Sequence, residues 1–218
     1  MELKGLKVNF LGDSITQGHG TSAPDKIYHA LIKEKYGLAE ARNYGIGGTR
    51  IAKQHNPTNE VWDQDFCKRC LEMDPDADLI VVFGGTNDFG HGDAPLGSFT
   101  DRMPNTYYGA LHYLYTTLME KYPKAQIVVM TPLHRISEDN PKGDGYKAYD
   151  FAPLSRYVEI IKEVTEYYSI PTLDLWSVSG IQPKVEVIRQ RYCPDGLHPN
   201  DAGHELIASR LAGFLKTL

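Results

Sequence analysis

Two side chains at opposite ends of the chain have the chemistry needed for nucleophilic catalysis. Ser14 follows the first apolar run, in Gly12-Asp13-Ser14, and His198 lies in Asp195-Gly196-Leu197-His198-Pro199. A serine hydroxyl becomes an effective nucleophile when a histidine accepts its proton and a carboxylate orients that histidine. The sequence therefore supplies a nucleophile, Ser14, and an acid–histidine pair, Asp195 and His198.

Two glycine-rich segments between these residues could stabilise negative charge. The first is Gly45-Ile46-Gly47-Gly48, and the second is Gly84-Gly85-Thr86-Asn87-Asp88. A glycine-rich loop lets a backbone N–H approach a ligand closely, and an asparagine amide can donate to an oxyanion. Together with the serine and the acid–histidine pair, these donors make up the parts needed for acyl transfer through an activated serine.

Each of these patterns also has a purely structural interpretation. A serine between a strand and a helix is often only a helix cap. The pair Asp195 and His198 could form a simple helix-entry turn, since Pro199 disfavours helical backbone at His198. The glycine-rich segments could be ordinary turns. The functional interpretation therefore depends on all the segments meeting at one place.

Motifs for other chemistries are incomplete. The dinucleotide pattern G-x-G-x-x-G fails because Arg50 stands where its last glycine should be, and no phosphate-binding loop occurs. His204-Glu205 is followed by Ala208, so the zinc-protease motif fails, and there is no G-x-S-x-G elbow. The cysteines of Cys67-Lys68-Arg69-Cys70 lack a second pair at zinc spacing, and we interpret them as structural.

Strands and helices alternate along the chain. Strands are predicted at Leu6–Leu11, Ala41–Ile46, Leu79–Phe83, Ile127–Met130 and Pro171–Leu175. Helices are predicted at Lys26–Tyr36, Glu60–Met73, Tyr107–Lys121, Ser155–Tyr168 and Asn200–Leu215. Such alternation is typical of a parallel sheet with helices on both faces. Ser14, Gly48 and Asn87 all follow strand ends, where open α/β sheets bind their ligands.

Two irregular segments, Phe89–Thr106 and His134–Pro153, also follow strands, and we expect them to form much of the pocket wall. They contain few large aliphatic residues, and His91 or His134 could contact substrate. The polar residues expected there are Asp93, Asp101, Arg102, Asn105, His134, Arg135, Asp139, Asn140 and Lys142. A polar wall favours a short acyl group on a polar alcohol over a long chain, which needs an apolar groove.

Composition limits the class of protein. The 218 residues fit one domain, and 41% hydrophobic and 23% charged residues are ordinary for a soluble globular protein. The net charge is −5 and the 23 basic residues are scattered, which argues against nucleic acid as a partner. No apolar run approaches a membrane span. The charged start lacks a secretory signal, so we expect a cytoplasmic location, although a signal already removed would leave no trace.

The four blocks, in this order, resemble the SGNH (GDSL) hydrolase family: Gly12-Asp13-Ser14, the Gly48 loop, Gly85-Thr86-Asn87-Asp88 and Asp195-Gly196-Leu197-His198-Pro199. This resemblance implies a three-layer α/β/α sandwich with a central, mostly parallel five-stranded sheet of flavodoxin-like style, formed by residues 1–218. It implies Ser14 as nucleophile, His198 as general base and then acid, and Asp195 as its orienting partner. The oxyanion hole would come from Ser14 N–H, Gly48 N–H and the Asn87 amide, with no metal or organic cofactor.

The expected activity is cleavage of an ester, a small-molecule substrate, through an acyl-enzyme intermediate. We expect short acyl groups such as acetyl, carried by a polar alcohol such as a carbohydrate. A thioesterase or lysophospholipase-type acyl hydrolase, or a catalytically silent ligand-binding domain of the same fold, are the alternatives. The sequence predicts no oligomeric state. The carboxylate of Asp195 should raise the pKa of His198 somewhat above its usual value.

Overall fold

Five parallel strands form the centre of the molecule in a computed structural model, which describes residues 1–57, 59–149 and 151–218. The strands are β1 (Lys7–Gly12), β2 (Glu40–Gly45), β3 (Leu79–Phe83), β4 (Gln126–Met130) and β5 (Thr172–Leu173). Their order in the sheet is β2-β1-β3-β4-β5, and every neighbouring pair is parallel. This order places the switch point between β1 and β3, where a ligand is expected in a doubly wound sheet.

Helices cover both faces of this sheet. They are α1 (Ser14–Gln17), α2 (Tyr28–Tyr36), α3 (Phe66–Arg69), α4 (Thr86–His91), α5 (Tyr107–Lys121), α6 (Leu154–Tyr167), α7 (Leu175–Val178), α8 (Glu186–Tyr192) and α9 (Asp201–Leu215). Within the described part of the chain, no helix is both long enough and apolar enough to span a bilayer.

Alternation along the strands explains the three layers. Leu11 and Val82 belong to an apolar cluster with residues of α3, α5 and α6. Phe10, Val81 and Phe83 belong to a second cluster with residues of α2 and α9 on the opposite face. Successive strand side chains point to opposite faces, so apolar runs of this kind must be covered on both sides. The predicted three-layer α/β/α sandwich with a five-stranded parallel sheet is confirmed.

Most predicted elements are present, but the long helix predicted over Glu60–Met73 is wrong. Only Phe66–Arg69 is helical, capped by Asp65, whose side chain accepts from Lys68 N. The preceding residues form a turn because Asn59 Oδ1 accepts from Val61 N at 2.9 Å and Asp63 N donates to Asn59 O at 2.9 Å. The bond from Val61 N to the Asn59 side chain is of the kind that competes with helix formation.

Smaller differences concern short elements. Strand β5 has two residues rather than the predicted Pro171–Leu175, because Asp174 caps a new helix that begins at Leu175. The short helices α1, α4, α7 and α8 lack a long apolar period and were not predicted from the sequence. Two of them, α1 and α4, begin directly after strands β1 and β3 and carry Ser14 and Asn87.

Candidate active site

Ser14, His198 and Asp195 lie in one hydrogen-bonded chain. Ser14 Oγ is 3.0 Å from His198 Nε2, and His198 Nδ1 is 2.7 Å from Asp195 Oδ2. The other carboxylate oxygen, Asp195 Oδ1, accepts from Leu197 N at 2.8 Å and from His198 N at 2.7 Å. The carboxylate is therefore fixed on both oxygens, and it holds the imidazole with one ring nitrogen directed at the serine hydroxyl. The structure brings together the three residues predicted from the sequence.

Helix α1 fixes the position of Ser14. Asp13 caps this helix, with its Oδ1 accepting from Ile15 N at 3.0 Å, so Ser14 is the first helical residue. Burial raises the pKa of Asp13 to about 7. Only glycine fits at position 12, because a Cβ there would lie 2.0 Å from Thr16 Oγ1. The absence of a side chain lets α1 begin close to the end of β1. The helix cap is therefore Asp13 and not Ser14, and the same segment presents Ser14 to His198.

The environment lowers the pKa of His198 below its usual value, contrary to the expectation from the sequence. Burial is the largest cause, and Asp195 only partly opposes it, while the charges of His19 and Arg135 lower the pKa further. For Asp195, burial raises the pKa, but the N–H groups of His198 and Leu197 and the imidazole lower it more. The pair therefore favours a neutral histidine beside an ionised carboxylate, the state in which the histidine can accept a proton.

The three residues predicted to supply oxyanion donors, Ser14, Gly48 and Asn87, line one cleft. The N–H of Ser14 belongs to the first turn of α1, where it has no intrahelical acceptor. In the glycine loop, Gly47 N donates to Gln17 Oε1 at 2.8 Å, whereas among the described residues no acceptor is recorded for Gly48 N. The Asn87 amide is oriented by its bond from Nδ2 to Thr49 O at 3.0 Å. This geometry favours Gly48 over Gly47 as the loop donor, alongside Ser14 and Asn87.

Two buried charged residues, which the sequence did not identify as important, brace these loops. Arg69 donates to Tyr44 O at 2.5 Å, to Gly12 O at 3.0 Å and to Thr49 Oγ1 at 2.8 Å, and so joins the ends of β1 and β2 to the glycine loop. Burial lowers the pKa of Arg69 to about 10. The second residue is Asp88, described next.

Asp88 lies beside Asn87 and is fully enclosed. Its two carboxylate oxygens accept from Ile51 N and Ala52 N, both at 2.9 Å. Burial raises the pKa of Asp88 to about 6, and the two backbone bonds oppose this shift. Asp88 thus ties the glycine loop to helix α4. This role could have been predicted from the sequence, because an aspartate that follows a strand commonly accepts hydrogen bonds from backbone N–H groups.

A cleft of about 780 Å³ opens in front of Ser14. Its lining includes Ser14, His19, Gly48, His55, Asn56, Trp62, Asn87, His91, Asp93, Tyr146, Lys147, Tyr149, Phe151, Leu197 and His198. The two irregular segments do contribute, as predicted, although Asp150 of the second lies outside the described residues. The expected polar wall is nevertheless wrong, because the surface of the cleft is mainly apolar and includes the rings of Trp62, Tyr146, Tyr149 and Phe151. A third segment, which carries His55 and Trp62, was not predicted to take part.

Most of the polar residues expected in the wall lie elsewhere. Of that set only Asp93 lines the cleft, where its carboxylate accepts from His55 N and Asn56 N at 2.8 and 2.7 Å. His91 lines the cleft, whereas His134 lies outside it, packed on Trp176 with ring centroids 3.7 Å apart. The two candidate histidines are therefore distinguished by the structure, because only His91 is placed to meet a ligand in this cleft.

Within the described ranges, one group of side chains could hold a metal ion, namely His19, Asp195 and His198. Their ligand atoms lie within 4.8 Å of one another, and the rings of His19 and His198 are 4.2 Å apart. Asp195 and His198 already bond each other and Ser14. A cation bound here would occupy the histidine that acid–base chemistry needs, so these residues do not fit a metal that assists the reaction. Cys67 and Cys70 are buried free thiols, in agreement with a structural role.

A parallel α/β sheet with a Ser-His-Asp chain and converging N–H donors at its carboxyl edge defines a serine hydrolase type of site. Residues 10–206 match the sequence profile of the GDSL-like lipase/acylhydrolase family. The chain belongs to this family, which supports hydrolase activity.

Solved structures share the fold of this chain, and one curated relative is a GDSL lipase. A crystal structure of a protein from Lactobacillus plantarum is 30% identical, with a TM-score of 0.84 and coverage of 98% of each chain. A GDSL lipase from Mycobacterium tuberculosis is 26% identical over 156 residues, 70% of this chain and 55% of that protein, so the chain spans about half the length of this curated relative. A two-domain esterase active on acetylated mannans shares the fold, with 22% identity, a TM-score of 0.60, and coverage of 99% of this chain and 50% of that one.

Proposed function

We propose that this protein is a carboxylic-ester hydrolase that forms an acyl-enzyme intermediate on Ser14. The observation that carries the proposal is the continuous chain from Ser14 Oγ to His198 Nε2 at 3.0 Å and from His198 Nδ1 to Asp195 Oδ2 at 2.7 Å. A hydroxyl within hydrogen-bond reach of a neutral, oriented imidazole is the arrangement that nucleophilic catalysis requires.

In the acylation half-reaction, Ser14 Oγ attacks the ester carbonyl carbon while His198 Nε2 takes the hydroxyl proton. The carbonyl oxygen becomes negatively charged and accepts from Ser14 N, Gly48 N and the Asn87 amide. The tetrahedral intermediate then breaks its bond to the alcohol oxygen, which receives the proton from His198. The acyl group remains on Ser14, and Asp195 stabilises the imidazolium while it exists.

In the second half-reaction, water takes the place of the alcohol. His198 accepts a proton from this water as it attacks the acyl carbon, and the same three donors stabilise the second oxyanion. His198 then returns the proton to Ser14 Oγ, and the carboxylic acid leaves. Each proton that leaves a nucleophile therefore passes through one histidine, so loss of that histidine should stop both halves.

The proposed substrate is a short-chain ester, such as an acetyl ester, of a polar alcohol such as a carbohydrate. Tyr146 and Tyr149 are exposed at the cleft, with 84% and 74% of each residue accessible. A pyranose ring has an apolar C–H face that packs on such rings, while its hydroxyls can bond nearby polar groups. The activity of the two-domain relative on acetylated mannans agrees with this substrate class.

The test is a panel of esters that varies the acyl length and the alcohol, measured with the wild type and with Ser14→Ala. The wild type should cleave aryl acetate and butyrate far faster than aryl palmitate, and it should release acetate from acetylated sugars. Ser14→Ala should fold normally and lose nearly all turnover. Its fold is checked by circular dichroism and thermal unfolding.

Two results would overturn parts of this proposal separately. Near wild-type hydrolysis by folded Ser14→Ala would remove the acyl-enzyme mechanism. A preference for chains of about twelve carbons or more, under matched solubility, would instead reject the short-chain substrate. Faster cleavage of acyl thioesters than of the matched oxygen esters would favour a thioesterase on the same site.

A further inference from the structure

Trp62 lies directly against the loop that supplies the oxyanion donor Gly48. A Cβ placed on Gly48 would fall 2.2 Å from Trp62 Nε1 and 2.3 Å from Trp62 Cδ1. The backbone of Gly48 also has a φ of +76°, which already favours glycine. The indole therefore occupies the space that any side chain at this position would need, and it forms the wall of the cleft beside Gly48.

A closed chain of contacts holds this indole in place. The ring of Trp62 packs on the ring of His91, with centroids 4.6 Å apart. His91 Nδ1 lies 3.2 Å from Arg50 Nη1, and Arg50 Nη2 donates to Asp63 Oδ1 at 2.5 Å. Asp63 is the next residue after Trp62, so the contacts return to their starting point.

In this chain of contacts, each hydrogen bond joins a donor to an acceptor. Arg50 is only 1% exposed and can only donate, so Nδ1 of His91 must accept. Burial and the neighbouring Arg50 lower the pKa of His91 to about 4, which keeps the ring neutral and able to accept. His91 accepts from Nη1 of Arg50 and Asp63 accepts from Nη2, and these two bonds fix the orientation of the guanidinium. Through these bonds His91 and Asp63 are fixed as well.

The direction of the leaving alcohol determines which half of the substrate meets Trp62. His198 must protonate the alcohol oxygen, so the alcohol lies on the His198 side of the cleft, where Leu197 and Tyr146 also form the wall. The carbonyl oxygen points at Gly48 and Asn87. The acyl chain extends away from the alcohol, and Trp62 and His91 line the same cleft, with Trp62 next to Gly48.

We propose that Trp62, held by the chain of Asp63, Arg50 and His91, closes the acyl side of the cleft and sets the upper limit of acyl length. The inference rests on the proposed ester hydrolase function. Trp62 is a specificity-determining residue here, and Asp63 and Arg50 are positioning residues that act through it. Removing the indole should open room for longer acyl chains, and each added methylene that becomes buried should raise kcat/KM about fourfold.

The experiment compares p-nitrophenyl acetate, butyrate, hexanoate and octanoate, which share one leaving group, and reads the ratio of kcat/KM for hexanoate to that for acetate. Trp62→Ala should raise this ratio by about tenfold or more, whereas Trp62→Phe should change it less than about threefold. Trp62→Leu serves as a second truncation. Phe99→Ala is the matched control, since Phe99 is 38% exposed against 40% for Trp62 but does not line the cleft.

The role of the supporting chain is tested with Asp63→Asn, which keeps the shape but removes the charge that pairs with Arg50. This variant should move the ratio in the same direction as Trp62→Ala and by a smaller factor. An unchanged ratio in Asp63→Asn, with a changed one in Trp62→Ala, would overturn the positioning role of the chain.

The outcomes also separate this inference from the proposed function. A folded Trp62→Ala that hydrolyses esters with the wild-type ratio would overturn the acyl limit and leave the hydrolase function standing. A change in preference among acetates of different alcohols, with no change in the acyl ratio, would likewise overturn it, because it would place Trp62 against the alcohol. Absence of Ser14-dependent hydrolysis of every ester in the wild type would reject the proposed function itself.

Discussion

The floor and the outer wall of the cleft are built in different ways. The floor carries Ser14, Gly48 and Asn87, which follow strand ends and are braced by buried Arg69 and Asp88. The outer wall carries Tyr146 and Tyr149 on an irregular segment, where they are largely exposed. Reacting groups need fixed geometry, which strand ends supply, whereas loops vary more freely and determine what is bound. Substitutions in the floor should therefore affect kcat, and those in the outer wall should affect KM.

The largest effect after loss of the nucleophile is expected at Asp195. In Asp195→Asn the amide oxygen keeps the bonds from Leu197 N and His198 N, so the NH₂ group faces His198 Nδ1. The proton of the imidazole then moves to Nε2, and the ring can no longer accept from Ser14. By analogy with other triads, kcat should fall about 10⁴-fold. Stopped-assay kinetics on p-nitrophenyl acetate measure this fall.

The control for that variant is Asp139→Asn, which makes the same chemical change on an exposed carboxylate paired with Lys184 outside the cleft. It should retain wild-type kcat. A drop of less than about tenfold in folded Asp195→Asn would show that Asp195 does not orient the histidine.

Next in size is the effect of Asn87→Ala, which removes one oxyanion donor but leaves the nucleophile and the base. We expect kcat to fall about 10²–10³-fold, with a smaller change in KM, because the bond strengthens as charge develops on the oxygen. Steady-state kinetics separate the two constants, and Asn140→Ala is a surface control. A raised KM with unchanged kcat would make Asn87 a residue of the substrate wall rather than of the floor.

The pH dependence tests the electrostatics of the floor. Hydrolysis requires neutral His198, so kcat/KM should fall about tenfold for each pH unit below the pKa of that residue. Burial lowers this pKa, which places the acid limb below the usual value of about 6.5. In His19→Gln one repelling charge is lost, so the limb should move to higher pH. An acid limb above about pH 6.5 in the wild type, or no acid limb at any pH at which the protein stays folded, would contradict this account.

The smallest effect is expected in the outer wall. Tyr149→Ala should raise KM for an acetylated saccharide about two- to tenfold and leave kcat nearly unchanged, because only ring packing in the bound state is lost. The matched control is Tyr167→Ala, at an exposed tyrosine away from the cleft. Equal losses of kcat in the two variants, or a kcat loss in Tyr149→Ala as large as in Asn87→Ala, would abolish the distinction between floor and wall.

The floor was predictable from the sequence because its signals are local. Strand β3 and helix α5 have the predicted bounds, and apolar runs followed by Gly-Asp-Ser or Gly-Gly-Thr-Asn mark strand ends directly. Parallel strands bring such ends to one edge of the sheet, so short motifs that are far apart in the chain must meet there. The positions of Ser14, Gly48 and Asn87 follow from that rule.

The two irregular segments of the wall were predicted, but the part made by Trp62 was not, because it depends on contacts between residues far apart in the chain. Trp62 lies in a stretch that resembles a helix, and the pairing of Asp63 with buried Arg50 cannot be read from that stretch. The direction of the pKa shift of His198 was also missed, since Asp195 is visible in the sequence but the burial of the ring is not. Burial and long-range ion pairs are properties of the fold rather than of any local motif.

The most direct test of the central claim is covalent labelling of the nucleophile. A fluorophosphonate, which reacts with activated serine hydroxyls, should add once to the protein and stop hydrolysis, and peptide mass spectrometry should place the adduct on Ser14. The adduct should be lost in Ser14→Ala and form far more slowly in His198→Ala. Labelling of a different residue, or unchanged hydrolysis after complete labelling, would contradict the account.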